Sequence, residues 1–278
     1  ADEVALVRYQ DHPRRRPPTV ELLEKIDLGE AERIYRDRFA DVGDFTFIIV
    51  GNFTPPEIRP LVATYIGGLP STGRDETWRD VGAEPIAGPR IVEVRKGLEP
   101  KSQVRLFWSG PAAWSREGQH DIASLAQALQ IRLREILRED LGGVYGVGVS
   151  GSLIRRPQQR FAFTVRFGCA PQSVDSLVEA VTAEIDRFRK EGVEASYTDK
   201  VQEIQRRGRE VDLRENGFWL RALKSYYSIG LDPRLVLEHE ELVGRVTPSR
   251  LQETAGRYLD PAVVFQAVLY PESYEPEP

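Results

Sequence analysis

Apolar residues recur along this chain at two spacings, and the change from one to the other predicts the order of elements. Near the N-terminus, residues 19–26 read as a short helix. Asp27 is placed to cap a second helix from Leu28 to about Ala40, with Ala31, Ile34, Tyr35, Arg38 and Phe39 at helical spacing. The run DFTFIIVGN then reads as a strand over 44–51. Thr54, Pro55 and Glu57 form a cap, a first-turn proline and a capping box for the next helix, which Gly67 and Gly68 end.

Further along, RIVEVRK (90–96) and SQVRLFW (102–108) alternate apolar and polar positions, as half-buried strands do. A long helix is expected over 115–139. Its apolar face is Ile122, Leu125, Ala126, Leu129, Leu133, Ile136 and Leu137. Two strands follow, at 145–154 and 161–169. Ala170 and Pro171 open a helix that turns Val174, Leu177, Val178, Val181 and Ile185 inward. A polar helix is expected over 196–215, a break at Asn216-Gly217, a resumed helix, two more helices, and a last strand over 263–270. Strands and helices grouped in this way predict an α+β fold, an antiparallel or mixed sheet with helices packed on one face.

The pattern near the N-terminus returns at the other end. Shifted by about 220 positions, Ile26 falls on Val246, Asp27 on Thr247, Phe39 on Leu259 and Phe45 on Phe265 without a gap. The expected organisation is therefore the C-terminal tail of a preceding homologous module over 1–69, a linker rich in Pro, Gly and polar residues over 70–89, and a complete module over 90–278. On that reading the sequence is the C-terminal piece of a longer protein. The strand at 44–51 has then lost most of its sheet, and an apolar edge of that kind is expected to be covered by the second module or by another chain.

The net charge of −5 disfavours nucleic acid as a partner, since phosphate binding needs a basic field. The triplet Arg14-Arg15-Arg16 beside prolines reads as a solvated segment. No run is long and apolar enough for a membrane span, and the first residues lack the pattern of a signal peptide. Cys169 is the single cysteine, so there is no internal disulfide; at a strand end it reads as a small buried residue. The three histidines, His12, His120 and His239, are too far apart for H-x-x-E-H or its inverse. His120 reads as a surface residue, and the acidic run around His239 as a solvated helix face.

One stretch, LREDLGGVYGVGVSGS from Leu137 to Ser152, contains a literal G-x-G-x-x-G at Gly146, Gly148 and Gly151. A dinucleotide fingerprint must lie between a strand and a helix start. Here a helix precedes it and the glycines fall inside a strand, so no nucleotide is expected. Ser150 lacks the final glycine and the helix of a nucleophile elbow. Gly142-Gly143 instead reads as a left-handed helix cap, and the glycine-rich strand as one that another backbone can approach closely. Arg138 in the last helical turn and Tyr145 at the strand start admit a plain structural reading: a charge opposing the helix dipole and a packed phenol.

The same residues resemble a family. LREDLGGVY is similar to the arginine–tyrosine motif in the C-terminal half of the pitrilysin/insulinase-type zinc metallopeptidases, bacterial zinc proteases above all. DFTFIIVGNFTPPEIRPLVATYIGGLPS, RKGLEPKSQVRLFWSGP and RENGFWLRAL extend the likeness over nearly the whole chain. The resemblance implies a module fold like that of the mitochondrial processing peptidase, and two halves that close around a peptide substrate. The zinc cofactor and its H-x-x-E-H motif would belong to a catalytic N-terminal half or partner subunit, and no metal or other cofactor to this segment. It implies substrate and transition-state binding by Arg138 and Tyr145, in a segment inactive alone. Two further readings are a non-catalytic structural or assembly subunit of the same fold, and a module that binds peptide by strand addition. For location, the resemblance favours the bacterial periplasm or cell envelope.

Overall fold

The computed structural model describes residues 2–74, 76–86, 88–140 and 144–275, with 138–140 and 145 described by their backbone alone. In chain order the helices are α1 (Asp2–Arg8), α2 (Val20–Leu23), α3 (Leu28–Phe39), α4 (Pro55–Tyr65), α5 (Arg116–Arg134), α6 (Val174–Glu191), α7 (Ala195–Asp212), α8 (Asn216–Ile229), α9 (His239–Gly244) and α10 (Pro248–Tyr258). The strands are β1 (Arg90–Arg95), β2 (Ser102–Pro111), β3 (Val144–Ile154), β4 (Arg160–Cys169) and β5 (Phe265–Tyr270). The chain divides into two compact units: Ala1–Pro17 with Asp80–Arg206 and Glu240–Pro278, and Pro18–Arg79 with Arg207–His239.

The first unit holds the five strands in the order β1-β5-β2-β4-β3. The β1–β5 pair is parallel, and the β5–β2, β2–β4 and β4–β3 pairs are antiparallel. The sheet is therefore mixed, and β3 is an edge strand. Alternation decides which face is covered. Val104, Leu106 and Trp108 of β2 and Phe161, Phe163, Val165 and Phe167 of β4 are buried. They meet Ile122, Leu125 and Leu129 of α5, Leu177, Val181 and Ile185 of α6, and Leu251 and Ala255 of α10 in one core. The intervening residues face the other way, and there the Arg8 guanidinium of α1 lies 4.1 Å over the Phe107 ring.

Cys169 is buried, and burial pushes its thiol up to about 11, far from the reactive range. His120 is not the surface residue expected. Half-buried, it bonds Gln205 through Nε2 (3.0 Å), and Nδ1 lies 3.5 Å from the Ser124 hydroxyl one turn along α5. Gln205 of α7 donates to Ser124 and Gln127 as well.

In the second unit the helix signals are realised as written. The Asp27 carboxylate accepts from Glu30 N–H at 3.0 Å and caps α3. Thr247, the residue on which Asp27 falls in the shifted alignment, makes the same three-residue bond to Arg250 N–H at the start of α10 in the first unit. Glu57 accepts from the Thr54 N–H at 2.7 Å and opens α4.

The expected strand over 44–51 does not form. These residues have no β-ladder partner, and Phe45, Phe47 and Ile49 are 37%, 47% and 46% exposed. The reason is that a strand is completed by its neighbours. Alternation prepares the segment for a sheet, and no strand among the described residues pairs with it.

Candidate functional site

The connection from α5 into β3 carries both residues of the motif, and the chain builds it in three steps. First, α5 does not continue as one regular helix. It is α-helical to Arg134, and Glu135–Asp140 then form a π turn. Such wide turns are rare and concentrate at functional positions. Leu137, fully buried, pins this turn to the core. Arg138 follows it in the same turn. Residues 141–143, with the expected Gly142-Gly143 cap, lie outside the described residues, as do the side chains of Arg138 and Tyr145.

Second, charged and phenolic groups hold the turn at its start. The Tyr197 hydroxyl of α7 donates to the Glu135 carboxylate. Lys200 lies 3.5 Å and Arg132 3.6 Å from the same carboxylate. Arg132 also donates to the buried Glu184 of α6 at 3.2 Å. Burial pushes Glu135 upward, but the Tyr197 bond and the two cations outweigh it and hold the group below the usual carboxylate range. Tyr197 is raised, by burial and by its bond to the anion. The residues of this cluster are spread over three helices, and the sequence reading missed it. The one local signal is the i,i+3 pair Arg132–Glu135.

Third, β3 opens with an irregularity. Val144 pairs with Cys169 and Gly146 with Gly168, so Tyr145 is an extra residue in the ladder. Such bulges bend a strand and re-aim side chains. On its free edge β3 is partly closed by its own helix. The Gln130 side chain of α5 accepts from Val149 N–H at 3.0 Å, and Gln119 from Leu153 N–H at 2.6 Å. In an antiparallel ladder every second residue turns its N–H and C=O outward. Val147 shares the outward orientation of Val149, and it is the outward residue nearest the bulge.

The glycines separate into distinct roles. A Cβ on Gly151 would lie 2.7 Å from the Ile122 carbonyl oxygen and 2.7 Å from the Phe163 ring. The backbone that approaches there is that of α5. On Gly148 a Cβ would meet the Arg166 side chain at 2.7 Å, whereas Gly146 has open space around it. The G-x-G-x-x-G is thus part of a strand in which Gly148 and Gly151 answer local packing, with no helix start beside it.

Among the described residues the donors do not fit zinc. His12 bonds the Val81 carbonyl and caps a short turn, and His120 is committed to Gln205 and Ser124. Among the described residues no three histidine, cysteine or acidic side chains converge, so no step of a reaction is assigned to a metal on this segment.

Comparison with known proteins agrees with this architecture. Residues 25–205 match the family model described as the peptidase M16 inactive domain. The "Zinc protease PQQL-like" protein of Arabidopsis thaliana is 29% identical over 249 residues, 82% of this chain and 25% of that protein. "Probable zinc protease PqqL" of Escherichia coli is 23% identical over 98% of this chain and 29% of its own length. The crystal structure of the periplasmic protease PqqL from Escherichia coli superposes with a TM-score of 0.81 at 20% identity, over 97% of this chain and 30% of that one. Pitrilysin gives a TM-score of 0.61 at 16% identity over 99% of this chain and 30% of its own. The chain thus spans under a third of the length of these relatives. With the family model covering more than half of its residues, the chain belongs to the peptidase M16 inactive-domain family.

Proposed function

We propose that this chain is the substrate-binding, metal-free C-terminal part of a zinc-dependent metalloendopeptidase. The observation that carries the reading is the setting of LREDLGGVY. Its arginine lies in a π turn and its tyrosine at the bulge that opens an edge strand. The matched relatives carry the name zinc protease, and the family model is that of the inactive domain, which supports a division of labour between two halves. Zinc, bound by H-x-x-E-H in the catalytic half, would supply a polarised water.

This chain would supply alignment. An extended peptide beside β3 would bond Val147 through its outward N–H and C=O. Arg138, a planar and permanently charged donor, would hold a substrate carbonyl. The Tyr145 hydroxyl would donate to the oxygen that gains charge as the scissile carbonyl becomes tetrahedral. Location in the periplasm belongs to the same reading and rests on the Escherichia coli relative. The test is to combine this chain with the half that carries H-x-x-E-H. Peptide hydrolysis is expected from the pair and from neither piece alone. Full activity of the catalytic half by itself would reject the proposal.

A further inference from the structure

The sheet face opposite the main helices carries a second polar site at the far end of β3 from Tyr145. Nine residues of strand, about 30 Å, lie between the two. We propose that the cavity bounded by Arg8, Arg15, Arg156 and Arg160 binds a small multivalent oxyanion of the phosphate type. This site is independent of the peptidase reading.

Four arginines line one cavity of about 90 Å³, with Ser109 as a further polar residue. The volume is several times the ~30 Å³ share of one water and well below the ~300–1,000 Å³ of pockets that enclose drug-sized ligands. It suits a small ion. None of the four guanidiniums is in an ion pair among the described residues. Glu84 is the one carboxylate at the rim, so the charge there stays strongly positive. The Arg160 Nε is buried with no acceptor. A buried donor left without a partner is destabilising, more so when charged, and an anion would remove that cost.

Two arginines are already oriented. The Arg8 guanidinium carbon lies over the Phe107 ring at 4.1 Å and that of Arg15 over the Tyr9 ring at 4.9 Å. Stacking occupies their faces and leaves the in-plane N–H edges to donate. Burial, opposed by the neighbouring Tyr9 phenol and reinforced by the nearby Arg160 and Arg15 charges, holds Arg8 below its ordinary value. Convergent guanidinium forks match a tetrahedral dianion, whose oxygens accept from several donors at once, better than a single carboxylate.

Inorganic phosphate titrated into the 278-residue protein at constant ionic strength, followed calorimetrically and by thermal denaturation, tests this. Saturable binding and a raised Tm are expected with phosphate and not with acetate. The exposed pair Arg15→Gln with Arg156→Gln is expected to weaken phosphate by about tenfold or more while leaving Tm in chloride unchanged. Arg160→Gln is expected to abolish binding, and Glu84→Gln to tighten it. Absence of saturable phosphate binding, equal binding of acetate, or full affinity in the Arg15/Arg156 double variant would overturn the proposal.

Discussion

The Tyr197 hydroxyl donates to the carboxylate of Glu135 across 62 residues of sequence, and that bond ties α7 to the turn that carries Arg138. Glu135 is the first residue of the π turn, and Arg138 stands three residues on. Removing the hydroxyl leaves a partly buried carboxylate short of one donor. Tyr197→Phe is therefore expected to cost about 1–2 kcal/mol in urea denaturation. In the reconstituted protease it should also lower kcat more than it raises KM. A variant as stable and active as the parent would show that the turn is held by its apolar anchors alone.

The same carboxylate sets a pH dependence. Its pKa in the folded protein lies below the ordinary carboxylate value, so the unfolded chain binds the proton more readily. Its contribution is complete above the unfolded pKa, about 4.3, and is lost as pH falls through the folded one. Stability measured in urea at pH 6 and at progressively lower pH should show Glu135→Gln well below the parent at pH 6 and converging on it in acid. A gap that stays constant with pH would contradict this assignment.

Gly151 and Gly146 make a controlled pair on one strand. A methyl at 151 meets the Ile122 carbonyl and the Phe163 ring at 2.7 Å, and a methyl at 146 meets nothing. Gly151→Ala should destabilise by about 1–3 kcal/mol, the usual range for overpacking, and Gly146→Ala should change stability little. Equal effects at the two positions would mean that α5 and β3 are not packed as described.

Much of this was legible in the sequence, for a physical reason in each case. Asp27, Thr54 with Glu57, and Thr247 are local devices, and each acts within three residues of itself. Alternation in β2 and β4 marks the buried face because side chains alternate whatever the neighbours are. What the sequence did not show depends on partners distant in the chain. DFTFIIVG has the alternation of a strand, but pairing is a property of two segments, and the second is not among the described residues. His120 reads as exposed until Gln205 of α7 is seen beside it. The π turn has no signature in LREILRED, and Glu135, Tyr197, Arg132 and Glu184 come together only when three helices pack. Arg138 and Tyr145 were singled out by their spacing and by family resemblance, whereas the network behind them was not.

Cys169 gives a simple check of the core. With its thiol pushed up to about 11 and no exposed surface, it should resist alkylation by iodoacetamide at neutral pH in the folded protein and react at once in denaturant. Rapid labelling of the folded protein would show that the end of β4 opens.

The most direct test of the central claim is kcat/KM of the two-part protease with Arg138→Ala, Tyr145→Phe and both changes together. Each single change is expected to lower kcat/KM by about 10²–10³-fold, as loss of a donor to a developing oxyanion does. The double change should fall short of the product of the two, because the side chains act on one bound peptide. Unchanged kcat/KM in both single variants, with the fold intact, would contradict the account.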